Sequence, residues 1–194
     1  MLTRLRKIFS KYIEYIAKIL SKTGLTPNHI TILSLPVSLL ALYAALNNDI
    51  IAFAILILVT GFLDVLDGAL ARITGKVTKF GAFLDSSIDR IVDGLFILSL
   101  YYVLKVSVIE VFILILVSFM ISYTRARAEA LGIKMEGIGL IERAERILFI
   151  FSIAILSIYN KFTAIVVFYV LLILSVITVI QRIYYVYKVL GQVR

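Results

Sequence analysis

From residue 27 onward, the chain alternates long apolar runs with short polar breaks. The runs cover approximately 27–47, 50–73, 79–103, 107–130, 139–159 and 162–188. Each reaches the roughly 20 residues an α-helix needs to cross the hydrocarbon core, so the pattern predicts six spanning helices. Residues 2–20 are different. Leu2, Leu5, Phe9, Tyr12, Ile13, Ile16 and Leu20 recur at helical spacing, while Arg4, Arg6, Lys7, Lys11 and Lys18 take the other face. That pattern belongs to an amphipathic helix lying in the membrane interface. Thr26-Pro27-Asn28 then reads as a helix start, with Thr26 as N-cap and Pro27 at the first helical position. No repeat, linker or low-complexity tract interrupts the series. The expected fold is an all-α polytopic membrane protein in one domain, 1–194, with an interfacial helix at 1–22 and a six-helix bundle at 27–188.

Composition agrees. Of the 194 residues, 62% are hydrophobic, and the mean hydropathy is +1.06, too apolar for a soluble domain. There is no cysteine and a single histidine, His29, which excludes disulfides, thiolate sites and multi-histidine zinc. The N-terminal segment carries charges throughout and does not read as a secretory signal. The net charge is +8, but its placement says more than its size. Of the 20 Lys and Arg residues, all but Lys105, Lys161 and the in-span Arg90 fall in four places. These are the N-terminal segment, the loops after the second and fourth spans, and the C-terminal end. Such clustering between apolar spans argues against nucleic acid as a partner. By the positive-inside rule it predicts a multi-pass cell-membrane protein with both termini cytoplasmic.

The candidate chemistry sits on the second and third spans, which read Asp64-x-x-Asp67-Gly68-x-x-Ala71-Arg72 and then Gly81-x-x-x-Asp85-x-x-x-Asp89. Carboxylates at bilayer depth are costly and repel one another, so their default reading is a functional site. Steps of three and four residues put each pair on one helix face. Two such faces turned together make a cage of hard oxygen ligands for Mg²⁺, Mn²⁺ or Ca²⁺, at the cytoplasmic side. Small residues at Gly68, Ala71 and Gly81 leave room for a ligand, and Arg72 is placed to pair with phosphate oxygens. A purely structural ion-pair network with Arg72 and Arg90 is the alternative, and a poor reason to bury so many carboxylates.

Residues 64–89 resemble the CDP-alcohol phosphotransferase family, whose pattern D-x2-D-G-x2-A-R-x8-G-x3-D-x3-D they match at all eight fixed positions. The segment Gly24-Leu25-Thr26-Pro27-Asn28 is similar to the start of that family's first helix. The resemblance implies a transferase of phospholipid biosynthesis that uses Mg²⁺ or Mn²⁺, with two ions. It implies Asp64, Asp67 and Asp85 as metal ligands, and Asp89 as general base and further metal contact. Asp67, Gly68, Ala71, Arg72 and Gly81 become the binding residues for the CDP-lipid, either CDP-diacylglycerol or CDP-archaeol. A homodimer is implied on the same ground.

The acceptor is read elsewhere. Residues 122–146, containing Ser122-Tyr-Thr-Arg125-Ala-Arg127 and Ile141-Glu142-Arg143-Ala144-Glu145-Arg146, resemble the phosphatidylinositol phosphate and archaetidylinositol phosphate synthase branch. That branch implies Ser122, Arg125, Arg146 and Arg182 as holders of the phosphate of inositol phosphate. The branch usually has Lys at Arg125 and Pro at Ala144. An arginine cluster asks for a dianionic phosphate, which disfavours serine, ethanolamine or choline but leaves glycerol phosphate as the alternative acceptor. Arg127 and Arg143 are read as bystanders, paired with Glu129, Glu142 and Glu145. Asp93 continues the spacing of Asp85 and Asp89, as an arginine partner or an acceptor-site residue. His29 is read as neither base nor ligand. Tyr184, Tyr185 and Tyr187 read as an interfacial belt. Two other classes compete. One is a membrane prenyltransferase, which lacks the Gly-x-x-Ala-Arg continuation. The other is a cation channel or transporter, whose path fixed arginines would oppose.

Overall fold

The computed structural model describes residues 2–191, with side chains described from Tyr12 onward. The side chains of Leu2, Leu5, Phe9, Arg4, Arg6, Lys7 and Lys11, and all of Arg194, lie outside the described residues. Among the described residues the fold is all-helical: α1 Leu2–Ser21, α2 Pro27–Leu46, α3 Ile50–Thr74, α4 Lys79–Leu104, α5 Val108–Ala130, α6 Arg143–Tyr159 and α7 Lys161–Gly191.

Local chemistry fixes most boundaries. Pro27 opens α2, and the Thr26 backbone N–H donates to Nδ1 of His29 at 3.3 Å, so His29 acts as a cap. Asp49 accepts the Ala52 N–H at 3.0 Å to start α3. Gly75, at φ +66°, ends it in the left-handed conformation that glycine adopts without a Cβ penalty. Thr78 accepts the Gly81 N–H at 2.9 Å to start α4. Ser107 and Glu110 form a capping box on α5.

One boundary differs from expectation. The apolar run from 139 is not helical before Arg143. Gly137 and Gly139 take φ +74° and +118°, and the Leu140 and Ile141 N–H groups donate to Thr178 Oγ1 at 3.2 and 3.1 Å. A side chain of α7 thus competes with the helix for its first donors. The helix that results, α6, has 17 residues. Among the described residues, four helices are long and apolar enough to cross a membrane: α2, α3, α5 and α7. Acidic and basic residues interrupt α4.

Packing places α4 centrally, against α2, α5, α6 and α7. Both α2 and α6 pack against α3 and against α4, while the backbones of α3 and α4 stay apart and the two helices meet through long side chains. The apolar core is built around Phe53, Phe96, Leu100, Leu104, Leu114 and Phe168 and runs up to Ile88 and Val92 beside the aspartates. Phe53 meets Phe96 edge-to-face at 6.4 Å. Small residues such as Ala41, Ala45, Ala54 and Ala164 are fully or nearly fully buried, which lets helix backbones close in where lipid offers no hydrophobic driving force. Large apolar side chains face outward on α2, α3, α5 and α7, among them Leu40, Ile51, Ile109 and Ile173. α1 lies along α3, with Ile13 and Ala17 buried against Leu66, Ala69 and Leu70. Tyr184 and Tyr187 are exposed, whereas Tyr185 packs on the loop residues Ile133 and Met135.

Candidate active site

The tight connection at 75–78 returns the chain from α3 to α4, and the acidic rows of the two helices end up at one end of the bundle. Asp64, Asp85 and Asp89 each offer a carboxylate oxygen, all within 4.8 Å of one another. Asp67 stands beside this group, with its Oδ2 accepting from Thr31 Oγ1 of α2 at 2.6 Å. Asp67 is 7% exposed and Thr31 6%, so this short bond orients a carboxylate that water scarcely reaches.

Because α3 and α4 stand apart, a cavity of about 360 Å³ opens between them, floored by α2. Its lining brings together Asp67, Gly68, Ala71, Arg72, Gly81 and Asp85, with Asn28 and Thr31 from α2 and Lys76 and Thr78 from the connection. All five residues expected to hold the CDP-lipid therefore share one wall system. Its volume is in the range of small-ligand pockets. The glycines matter for space. A Cβ on Gly68 would stand 3.3 Å from Arg72 Nη1, and one on Gly81 would stand 3.0 Å from Thr78 Oγ1 and 3.2 Å from Asn28 Oδ1.

The arginines depart from the sequence reading. Arg143, expected as a bystander paired with nearby glutamates, sits at the centre of the acidic cluster. Its Nη1 is 3.0 Å from Asp64, its Nη2 2.8 Å from Asp89 and its Nε 3.2 Å from Asp93. The reason is register. Arg143 is the first residue of α6 and points into the bundle, while Glu142 and Glu145 are engaged with each other through the Glu142 N–H, 3.1 Å from Glu145 Oε2. Arg146, one turn on, donates to the other oxygen of Asp93 at 2.7 Å, with both side chains nearly inaccessible. Asp93 is thus a partner to two arginines. Arg90 approaches Asp89 at 3.6 Å.

The expected acceptor residues are spread over the ends of α5, α6 and α7. Ser122 Oγ donates to the Ser118 carbonyl at 3.4 Å. Arg125 is exposed and pairs with Glu129 at 2.9 Å. Arg182 is 2% exposed. It donates through Nε to the Ile138 carbonyl at 2.8 Å and through Nη1 to the Ile121 carbonyl, tying α7 to α5 and to the loop before α6. Sequence reasoning missed Thr31, Thr178 and the placement of Arg143. The signals were faint: Thr31 lies one turn after Pro27, and Thr178 one turn before Arg182.

The donor set suits a hard divalent cation. It is all carboxylate, partly screened from water, and already draws a guanidinium into its midst. Residues 24–183 match the CDP-alcohol phosphatidyltransferase family. The chain is 45% identical over 163 residues to the archaetidylinositol phosphate synthase of Pyrococcus horikoshii, covering 82% of this chain and 84% of that one. It is similar in structure to the phosphatidylinositol phosphate synthase of Mycobacterium tuberculosis crystallised with CDP-DAG. The TM-score is 0.83 at 35% identity, covering 91% of this chain and 94% of that one. A crystal form of the same mycobacterial enzyme, in complex with manganese and citrate, gives a TM-score of 0.82 at 35% identity, covering 90% and 88%.

Proposed function

This chain belongs to the CDP-alcohol phosphatidyltransferase family, and we propose that it transfers a phosphatidyl or archaetidyl group from a CDP-activated lipid to inositol phosphate, releasing CMP. The observation that carries this reading is the cavity between α3 and α4. Its wall holds the Gly68, Ala71, Arg72 and Gly81 positions, and Asp67 and Asp85 lie at its acidic side. The inositol phosphate acceptor is supported by the 45% identity to an archaetidylinositol phosphate synthase.

Each residue has a role in the reaction. Arg72 pairs with diphosphate oxygens at the cavity wall, and Gly68 and Gly81 keep the wall clear for the nucleotide. Thr31 fixes the rotamer of Asp67. Two divalent cations, Mg²⁺ or Mn²⁺, held by Asp64, Asp67, Asp85 and Asp89 supply neutralisation of the diphosphate charge. The acceptor hydroxyl forms a new bond to the lipid-side phosphorus, the bond from that phosphorus to CMP breaks, and Asp89 takes the hydroxyl proton. A positioned carboxylate base contributes roughly 10²–10⁴-fold. Ser122, Arg125, Arg146 and Arg182 gather the acceptor phosphate at the ends of the later helices. A cation path is disfavoured by the guanidinium of Arg143 among the carboxylates.

In the membrane, α2 to α7 form six spans as one domain with α1 in the interface, and the protein assembles as a homodimer. The clustering of Lys and Arg supports a cytoplasmic active site with both termini on the same side. The test is a panel assay. Purified protein with CDP-archaeol or CDP-diacylglycerol, Mg²⁺ and labelled inositol phosphate yields a labelled lipid and CMP. Chelation with EDTA and Asp89→Asn each abolish the product. Turnover with glycerol phosphate alone would overturn the acceptor assignment.

A further inference from the structure

The positive charge closest to the acidic cluster belongs to the protein itself. The three guanidinium nitrogens of Arg143 that carry its fork each meet a different carboxylate: Asp64 at 3.0 Å, Asp89 at 2.8 Å and Asp93 at 3.2 Å. Two of those three, Asp64 and Asp89, also belong to the trio whose oxygens converge within 4.8 Å. The planar fork occupies lone pairs that a divalent ion would need. A guanidinium and an ion therefore compete for the same oxygens.

We propose that Arg143 is a resident counter-cation, which holds the acidic cluster together when no metal is bound and must release Asp64 and Asp89 for a divalent ion to enter. Asp93 is the anchor that keeps Arg143 near during the exchange. Its side chain is only 4% exposed and it stands outside the converging trio. Arg146 cannot take this part: it is 3% exposed and its contact is with Asp93 alone. The Arg143 side chain, at 20% exposure, keeps an open side toward which it can move.

The physical need is plain. Carboxylates this close repel one another, and a cation among them offsets that repulsion. An internal cation meets that need, but it lowers affinity for the external one. It also couples the two halves of the site, because Arg143 belongs to the helix that carries Arg146. By linkage, an anion that draws Arg143 off the cluster strengthens metal binding by the same factor that metal strengthens anion binding.

This inference rests on the reading of the aspartates as a metal site, and Mn²⁺ titration separates the two. Full-length protein in detergent is titrated with Mn²⁺, and the free ion is followed by electron paramagnetic resonance, for the wild type, Arg143→Gln and Arg143→Lys. Removing a competing unit charge at contact distance in a partly solvated site is expected to tighten Mn²⁺ binding roughly tenfold in Arg143→Gln. Arg143→Lys, which keeps the charge without the fork, falls between the two. Thermal melts provide the second readout: in EDTA the Arg143→Gln protein melts below the wild type, and saturating Mn²⁺ closes the gap. Unchanged or weaker Mn²⁺ binding in Arg143→Gln would overturn the counter-cation and leave the metal site standing. A wild type that takes up no Mn²⁺ would overturn the metal site, and this inference with it.

Discussion

Replacing Asp93 by alanine should damage the protein more than replacing any exposed carboxylate. Asp93 Oδ2 accepts from Arg146 Nη2 at 2.7 Å and Oδ1 accepts from Arg143 Nε at 3.2 Å. The side chains of Asp93 and Arg146 are 4% and 3% exposed, so water cannot replace the lost oxygen. Arg146 Nε has no hydrogen-bond partner among the described residues, which leaves that guanidinium dependent on Asp93. Deleting one member of a buried pair strands the other charge and typically costs about 3–5 kcal/mol. Asp93→Asn keeps an acceptor but loses its charge, at about 1.5–3 kcal/mol. Removing both charges, as in Asp93→Ala with Arg146→Ala, should recover part of the loss, because no stranded ion remains. The assay is unfolding of detergent-solubilised protein in graded SDS, followed by far-UV circular dichroism since the chain has no tryptophan. A cost below about 1 kcal/mol for Asp93→Ala, or a double variant no more stable than the single, would refute the stranded-charge argument.

Two further outcomes test the donor side and the loop. Thr31→Val keeps shape but removes the 2.6 Å bond to Asp67. A hydrogen bond to a charged group of about 1.5–3 kcal/mol corresponds to a roughly 10- to 100-fold fall in kcat/KM. The fall should be carried by the KM for CDP-lipid, and an unchanged KM would remove Thr31 from the orienting role. Gly139→Ala forces a Cβ to 2.5 Å from Thr178 Cγ2 at a φ of +118°. The expected destabilisation is about 2 kcal/mol or more, visible as a lowered melting temperature; an unaltered melt would show that the loop is not pinned on α7.

The helices were legible because their signals are local. Apolar runs, Pro27 and the polar breaks mark α2, α3, α4, α5 and α7 to within a few residues. The start of α6 was not, because the competitor for its first N–H groups, Thr178, lies 37 residues away from Ile141. The cavity wall was legible in part, since Gly68, Ala71, Arg72 and Gly81 follow helical spacing. The separation of α3 from α4 was not, because it depends on α2 and α6 packing against both. Arg143 shows the same limit most sharply. Its neighbours in sequence are glutamates, yet its partners come from α3 and α4. Local charge pairing put Glu129 with Arg127 or Arg143, yet its partner is Arg125, one turn earlier on the same exposed helix face; for Arg143 it failed because the bundle interior offered stronger partners.

The clustered aspartates, from Asp64 to Asp93, lie toward the end of the bundle where α3 passes into α4. In a bundle crossing a bilayer, that location makes the protein one-sided. Donor lipid is drawn from one leaflet and the finished lipid is left in the same leaflet, so the number of chains there does not change. Only the surface chemistry of that monolayer changes, as a nucleotide headgroup gives way to that of the acceptor alcohol. Transverse asymmetry of the membrane then arises without any energy-driven pump, and any use of the product on the far side requires a separate step that turns the lipid over.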